Sequence, residues 1–162
     1  MMKWLSLSTL ILILDQASKI WVDTSMDLYQ SFAIFPSFNI TYARNYGAAF
    51  SFLSDAGGWQ RWFFAVLAIG ISVGLVIWLK RLKTEETLLA LSISLILGGA
   101  VGNIIDRVLY GYVIDFLDVY YQTHHWPIFN IADSAICVGV ACMLYESFTN
   151  DSDNTNDSNI EK

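Results

Sequence analysis

The chain has 162 residues, of which 55% are apolar and 15% charged, and its mean hydropathy is +0.47. Soluble domains usually carry about 25% charged residues, so the length suits one domain and the composition excludes an ordinary soluble one in favour of a membrane protein. Much of the net charge of −6 sits in Asp151, Asp153, Asp157 and Glu161, which leaves the body nearly neutral, with no basic patch to suggest nucleic acid.

The first apolar run, Trp4 to Leu14, follows Lys3. A basic start and a short apolar core also fit a secretory signal peptide. Apolar residues resume at Ile20-Trp21-Val22, however, and Asp15 and Lys19 stand four apart, a favourable helical pair. A first span over residues 4–22 is therefore expected, with Asp15 and Lys19 architectural rather than catalytic. No cysteine of the lipobox kind follows this run, so the chain is not read as a lipoprotein precursor.

Residues 23–58 are mixed polar and aromatic. Phe38, Ile40 and Tyr42 alternate with Asn39, Thr41 and Ala43, the period of a strand. Pro36 and Asn45-Tyr46-Gly47 bracket that run with turn chemistry. Small residues then stand beside aromatics in Gly47-Ala48-Ala49-Phe50-Ser51-Phe52-Leu53. This segment is expected to form a small antiparallel sheet at the membrane surface, where Phe and Tyr rings sit well.

A second span, residues 59–79, ends in Lys80-Arg81-Leu82-Lys83. Three basic residues in four place that loop in the cytoplasm by the positive-inside bias. A third span is expected over 87–105, and a fourth over 128–148, opening beside Pro127, since a proline is tolerated at a helix start. Both termini are then cytoplasmic, and segments 23–58 and 106–127 face outward. Residues 149–162 are polar and acidic, too poor in apolar surface to fold, and are expected to be a disordered tail. The fold class expected is an all-α integral membrane protein, four transmembrane helices with a small extracytoplasmic antiparallel sheet.

The polar groups inside apolar runs are the candidates for chemistry, because charges at such depths are costly and usually functional. Asn103, Asp106 and Arg107 close the third span. Tyr112 to Phe116 is expected to be extended after a turn at Gly111 and carries Asp115. Asn130 and Asp133, three apart, are expected to share a face in the first turns of the fourth span. Asp115 and Asp133 are thus expected to meet near the outer membrane surface. Two close carboxyls cannot both ionise cheaply, so one keeps a proton. An ionised acid that deprotonates water, beside a protonated one that polarises a carbonyl and then protonates an amine, is a set for metal-free peptide hydrolysis. Asn103, Asn130 and Arg107 are candidates to hold the acids or bind substrate carbonyls.

Plainer readings stand beside these. Asp106–Arg107 is as readily a satisfied ion pair as a catalytic one. Gly98 and Gly102 form a small-xxx-small pattern, more often a helix-packing face than a substrate groove. Asp118, beside Tyr120 and Tyr121, reads as loop. Cys137 and Cys142 point to different sides of a helix and read as buried small residues. His124 and His125 read as structural loop residues, and no metal site or cofactor is expected.

Four segments carry a family resemblance: Asp15-Gln16-Ala17-Ser18-Lys19; Asn45 through Phe52; Gly98 through Arg107 and on to Val113-Ile114-Asp115-Phe116; and Phe129-Asn130-Ile131-Ala132-Asp133-Ser134-Ala135. Together they cover about a quarter of the chain, and they resemble, in order, the signal peptidase II family of bacterial inner-membrane aspartic proteases. The resemblance implies that Asp115 and Asp133 are the catalytic pair, with Asn45, Asn103, Arg107 and Asn130 near the site. It implies a diacylglyceryl-modified prolipoprotein as substrate, cut before its lipidated cysteine at the outer face of the inner membrane. Membrane lipid is the other expected partner, and a monomer the expected state. The acidic tail departs from the short, often basic C-termini expected of the family. A reading from another class is a small proton-coupled transporter or channel subunit with Asp15, Asp115 and Asp133 as relay acids, and a third is a structural membrane subunit.

Overall fold

The computed structural model describes residues 1–47 and 58–160, and side chains as far as Thr149. After a 3-10 turn at Met2–Trp4, the elements are α1 (Leu5–Ser25), β1 (Ser31–Phe35), β2 (Phe38–Asn45), α2 (Gln60–Arg81), α3 (Thr87–Leu109), β3 (Val113–Tyr121), β4 (His124–His125) and α4 (Ile131–Ile160). Four helices are long and apolar enough to cross a membrane among the described residues, the fourth over Ile131–Thr149. α1 and α3 outrun the expected spans by a few residues, to Ser25 and Leu109. The backbone of α4 also continues as helix to Ile160, where composition predicts disorder. Extending an existing helix avoids the cost of nucleating a new one.

α3 is the central helix. α1, α2 and α4 each pack along it, and half of its apolar window is buried, against 17–22% in the other three. The close approach of α1 is possible because α3 presents Gly98 and Gly102. A Cβ at Gly98 would lie 2.7 Å from the Ser8 carbonyl oxygen, and one at Gly102 would collide with the Asp15 carboxylate. Those glycines form a packing face, as their spacing suggests. α2 is apolar all round and exposes Val66, Ile69 and Val73, the surface expected of a helix in lipid.

The sheet has the order β1-β2-β3-β4, each pair antiparallel. The β1–β2 turn uses Pro36, with its fixed φ, and Ser37 in the left-handed region at φ 70°. Three expectations are corrected here. Residues 31–35 add a strand that the sequence did not announce. Asp118 lies within β3 and is buried, its carboxylate accepting from Asn39 Nδ2 (3.2 Å) and Thr41 Oγ1 (3.0 Å). His124 and His125 pair as β4, with His125 Nδ1 2.6 Å from Asp118 Oδ1. Burial pushes the Asp118 carboxyl up, but the bonds from His125, Asn39 and Thr41 outweigh it and hold the group below its ordinary value. The expected continuation through 48–53 lies outside the described residues.

A small core of Val22, Met26, Tyr42, Ile114 and Phe116 fastens the sheet to the end of α1. Tyr42 donates its hydroxyl to Asp23 and accepts from Arg44 Nε at 3.0 Å. Burial first, and the Asp23 bond second, push the Tyr42 pKa up. The sheet therefore sits where α1 and α3 end and α2 and α4 begin.

Candidate active site

Asp115 reaches the site from β3 by strand register. Asn45 on β2 pairs with Val113, so it stands diagonal to Asp115 on the same face. Asn45 Nδ2 donates to Asp115 Oδ2 at 3.1 Å. The chain after β4 folds back along β3: Phe116 and Leu117 both donate backbone N–H to Phe129 O, at 2.9 and 2.8 Å. This return sets Asn130 beside Asp115, and Asn130 Nδ2 donates to Asp115 Oδ1 at 2.7 Å.

The expectation that Asn130 lies on the face of the fourth helix is corrected: α4 begins at Ile131 and Asn130 is its N-cap. Asn130 Oδ1 accepts the N–H of Asp133, three residues on, at 2.8 Å. Asp133 thus occupies the first turn, where the helix dipole favours a carboxylate. Its Oδ1 accepts from Asn103 Nδ2 at 2.8 Å. Asn103 Oδ1 in turn accepts from Asn130 Nδ2 at 3.3 Å. Two amides from α3 and the α4 cap therefore link the two carboxyls in the order Asp115, Asn130, Asn103, Asp133. Asp115 is 2% exposed and Asp133 partly exposed. Burial first, then the charge of Asp133, raise the Asp115 pKa to about 7, against the bonds from Asn45 and Asn130 and the charge of Lys19.

Behind this pair lies a buried ionic cluster. Lys19, 1% exposed, reaches Asp15 Oδ2 (2.8 Å), Asp106 Oδ2 (2.9 Å) and Asn103 Oδ1 (3.0 Å). Asp15 Oδ1 accepts the N–H of Ala132 at 2.9 Å, so α1 supplies a second cap to α4. Asp106 also accepts from Gln16 Nε2 at 2.9 Å and from the backbone N–H of Ile114 at 3.2 Å. The possible Asp106–Arg107 ion pair does not form: adjacent residues on a helix point apart, and Asp106 turns to Lys19. Arg107 donates to the backbone carbonyls of Asn103 (3.3 Å) and Gly47 (3.1 Å), with its charge within reach of Asp133, Asp115 and Asp106. Gln16 is the participant that sequence reasoning missed. A polar amide beside Asp15 inside an apolar helix was the available signal.

The class this defines is an integral membrane protein of four helices with a small sheet at one end, holding a carboxyl pair in a scaffold of amides. The signal peptidase (SPase) II family profile matches residues 7–149. A lipoprotein signal peptidase of Pseudoalteromonas translucida is 55% identical over 149 residues, covering 92% of this chain and 90% of that one. Another, of Shewanella piezotolerans, is 52% identical over 152 residues, covering 94% and 89%. A solved structure described as a bacterial membrane enzyme superposes with a TM-score of 0.86 at 34% identity, covering 94% of this chain and 92% of that one. The chain belongs to the signal peptidase II family.

Proposed function

We propose that this protein is a membrane aspartic endopeptidase that removes the signal peptide from diacylglyceryl-modified prolipoproteins, with Asp115 and Asp133 as the reacting pair. The observation that carries this is the bridge of Asn130 and Asn103 between two carboxyls, one of them buried with a pKa near 7. Asp115, as the proton holder, donates to the scissile carbonyl oxygen. Ionised Asp133 takes a proton from the attacking water, which adds to the carbonyl carbon. Collapse of the tetrahedral adduct breaks the C–N bond: the leaving amine takes the proton from Asp133, and a hydroxyl of the adduct returns its proton to Asp115 as the carboxyl product forms. Asn45, Asn103 and Asn130 position the acids, and Lys19, Asp15 and Asp106 hold Asn103 and the start of α4. Arg107 offers its positive charge to developing carbonyl charge.

Orientation follows from charge. Lys80, Arg81 and Lys83 keep the loop after α2 in the cytoplasm, which places both termini there and the sheet with the acid pair at the outer face of the inner membrane. A signal peptide is an apolar helix in the same bilayer with its cleavage point at that face. A monomer suffices, since every residue in the proposed mechanism comes from one chain. Membership in a peptidase family leaves the relay-transporter reading without support.

The test is incubation of purified, reconstituted protein with a diacylglyceryl-modified precursor peptide, followed by mass analysis. Release of the signal fragment is expected, with Asp115→Asn and Asp133→Asn inserting normally but at least about 10²-fold slower. No release by the native chain overturns the substrate, and full activity in either variant overturns the pair.

A further inference from the structure

A groove of about 550 Å³ runs between α1 and α2 at the end of the bundle opposite the sheet, with α3 as its floor. It exists because α1 and α2 each pack along α3 rather than along one another. Leu5 and Leu12 line the α1 side and Val76 the α2 side, Gly98 lies in the floor, and Lys80 stands at the mouth.

Two facts decide what fits. From Ser72 to Lys80 the wall is about 12 Å long, and over that length the groove is open toward the lipid and lined almost wholly by apolar side chains, which suits a hydrocarbon chain. The second fact is charge. Lys80 is exposed and makes no ion pair or hydrogen bond among the described residues. Arg81 and Lys83 flank it, and the nearest acid in sequence with a described bond, Glu86, accepts from the Lys83 backbone at 2.6 Å. A cation at the mouth of an apolar slot complements an anionic head on an acyl chain. It opposes the basic end of a signal peptide.

We propose that this groove is a binding site for an anionic phospholipid of the leaflet at that end, with one acyl chain between α1 and α2 and its phosphate on Lys80. Such a lipid joins α2 to α1 where the protein leaves them apart. Ser72, whose buried hydroxyl has no partner, lies at the deep end beyond reach of the headgroup. It plays no part in selecting the head, whereas a bound polypeptide would use it through a backbone carbonyl.

The experiment is native mass spectrometry of the purified full chain in detergent, titrated with phosphatidylglycerol or phosphatidylethanolamine of identical acyl chains. Tighter retention of phosphatidylglycerol is expected. Lys80→Gln should weaken it about fivefold, while Arg81→Gln and Ser72→Val should leave the preference unchanged. Val76→Trp should abolish binding of both lipids by filling the slot. Equal retention of the two lipids by the native chain, an unchanged preference in Lys80→Gln, an equal loss in Arg81→Gln or unimpaired binding by Val76→Trp overturns the proposal. A loss confined to Ser72→Val also overturns it, in favour of a peptide occupant. Lys80 is exposed, so the decisive variant does not disturb the fold.

Discussion

Lys19 donates to Asn103 Oδ1 over 3.0 Å, and that bond fixes which end of the Asn103 amide faces Asp133. With its oxygen engaged by the ammonium, the amide can only offer Nδ2 to the carboxylate, which it does at 2.8 Å. A lysine on the first helix thereby orients a group on the third, which orients an acid on the fourth.

Replacing Lys19 by Met should expose the cost of that arrangement. Asp15 and Asp106 are both fully buried and would lose the cation they share. Breaking a buried pair by removing one partner typically costs about 3–5 kcal/mol. A detergent-resistant fold with a clearly lowered melting temperature and little cleavage is the expected outcome. Lys19→Met combined with Asp15→Asn should recover part of the stability, because one uncompensated charge is gone. Thermal unfolding of the three proteins in one detergent decides it.

The pH dependence follows from Asp115. Its folded pKa, near 7, lies above the ordinary carboxyl value. The folded state therefore holds this proton more tightly than the unfolded chain, and the associated stability is present at low pH and lost as pH rises through about 7. If the proton on Asp115 is the catalytic one, kcat/KM declines over the same window. The bond from Asn45 lowers this pKa, so Asn45→Leu should move the alkaline limb to higher pH. A limb unmoved in Asn45→Leu would assign it to another group.

The four membrane helices were legible because long apolar runs have few alternatives in a bilayer. Gly98 and Gly102 were likewise readable as a packing face. What sequence concealed were relationships across distance. Asp106 and Arg107 are neighbours in the chain, yet Asp106 pairs with Lys19, 87 positions earlier, because the helix turns adjacent side chains apart. Asn130 looked like a helical residue by its spacing from Asp133, but spacing of three is also the reach of an N-cap to its third amide. β1 escaped notice because all five of its residues are exposed, so no apolar alternation marks it. Asp118 reads as loop in the sequence because its partners Asn39, Thr41 and His125 come together only when the sheet forms.

Topology is open to a direct test. A reporter fused after Lys83 should read cytoplasmic and one near Tyr120 external, since a single helix, α3, lies between them. The opposite pattern would put the acid pair on the cytoplasmic side and separate it from the cleavage point of a translocated precursor.

Asn130 has two duties that substitution can separate. Its oxygen caps α4 through the N–H of Asp133, and its Nδ2 holds Asp115. Ser is a good N-cap residue but is too short to reproduce the second bond, so Asn130→Ser should cost only a few tenths of a kcal/mol in helix stability. A hydrogen bond to a charged group contributes about 1.5–3 kcal/mol, so if the bond matters in the transition state, cleavage should slow roughly tenfold to a hundredfold. Asn130→Asp also preserves the cap, but it sets a third carboxyl against Asp115 and must raise the pKa of that group further. Its residual activity should therefore shift toward higher pH, whereas Asn130→Ala should lose about 1 kcal/mol of stability as well as rate. Melting temperatures and pH–rate profiles for the three variants separate the roles. If Asn130→Ser cleaves at the native rate, the bond to Asp115 is structural only, and the amide bridge is not what poises the pair.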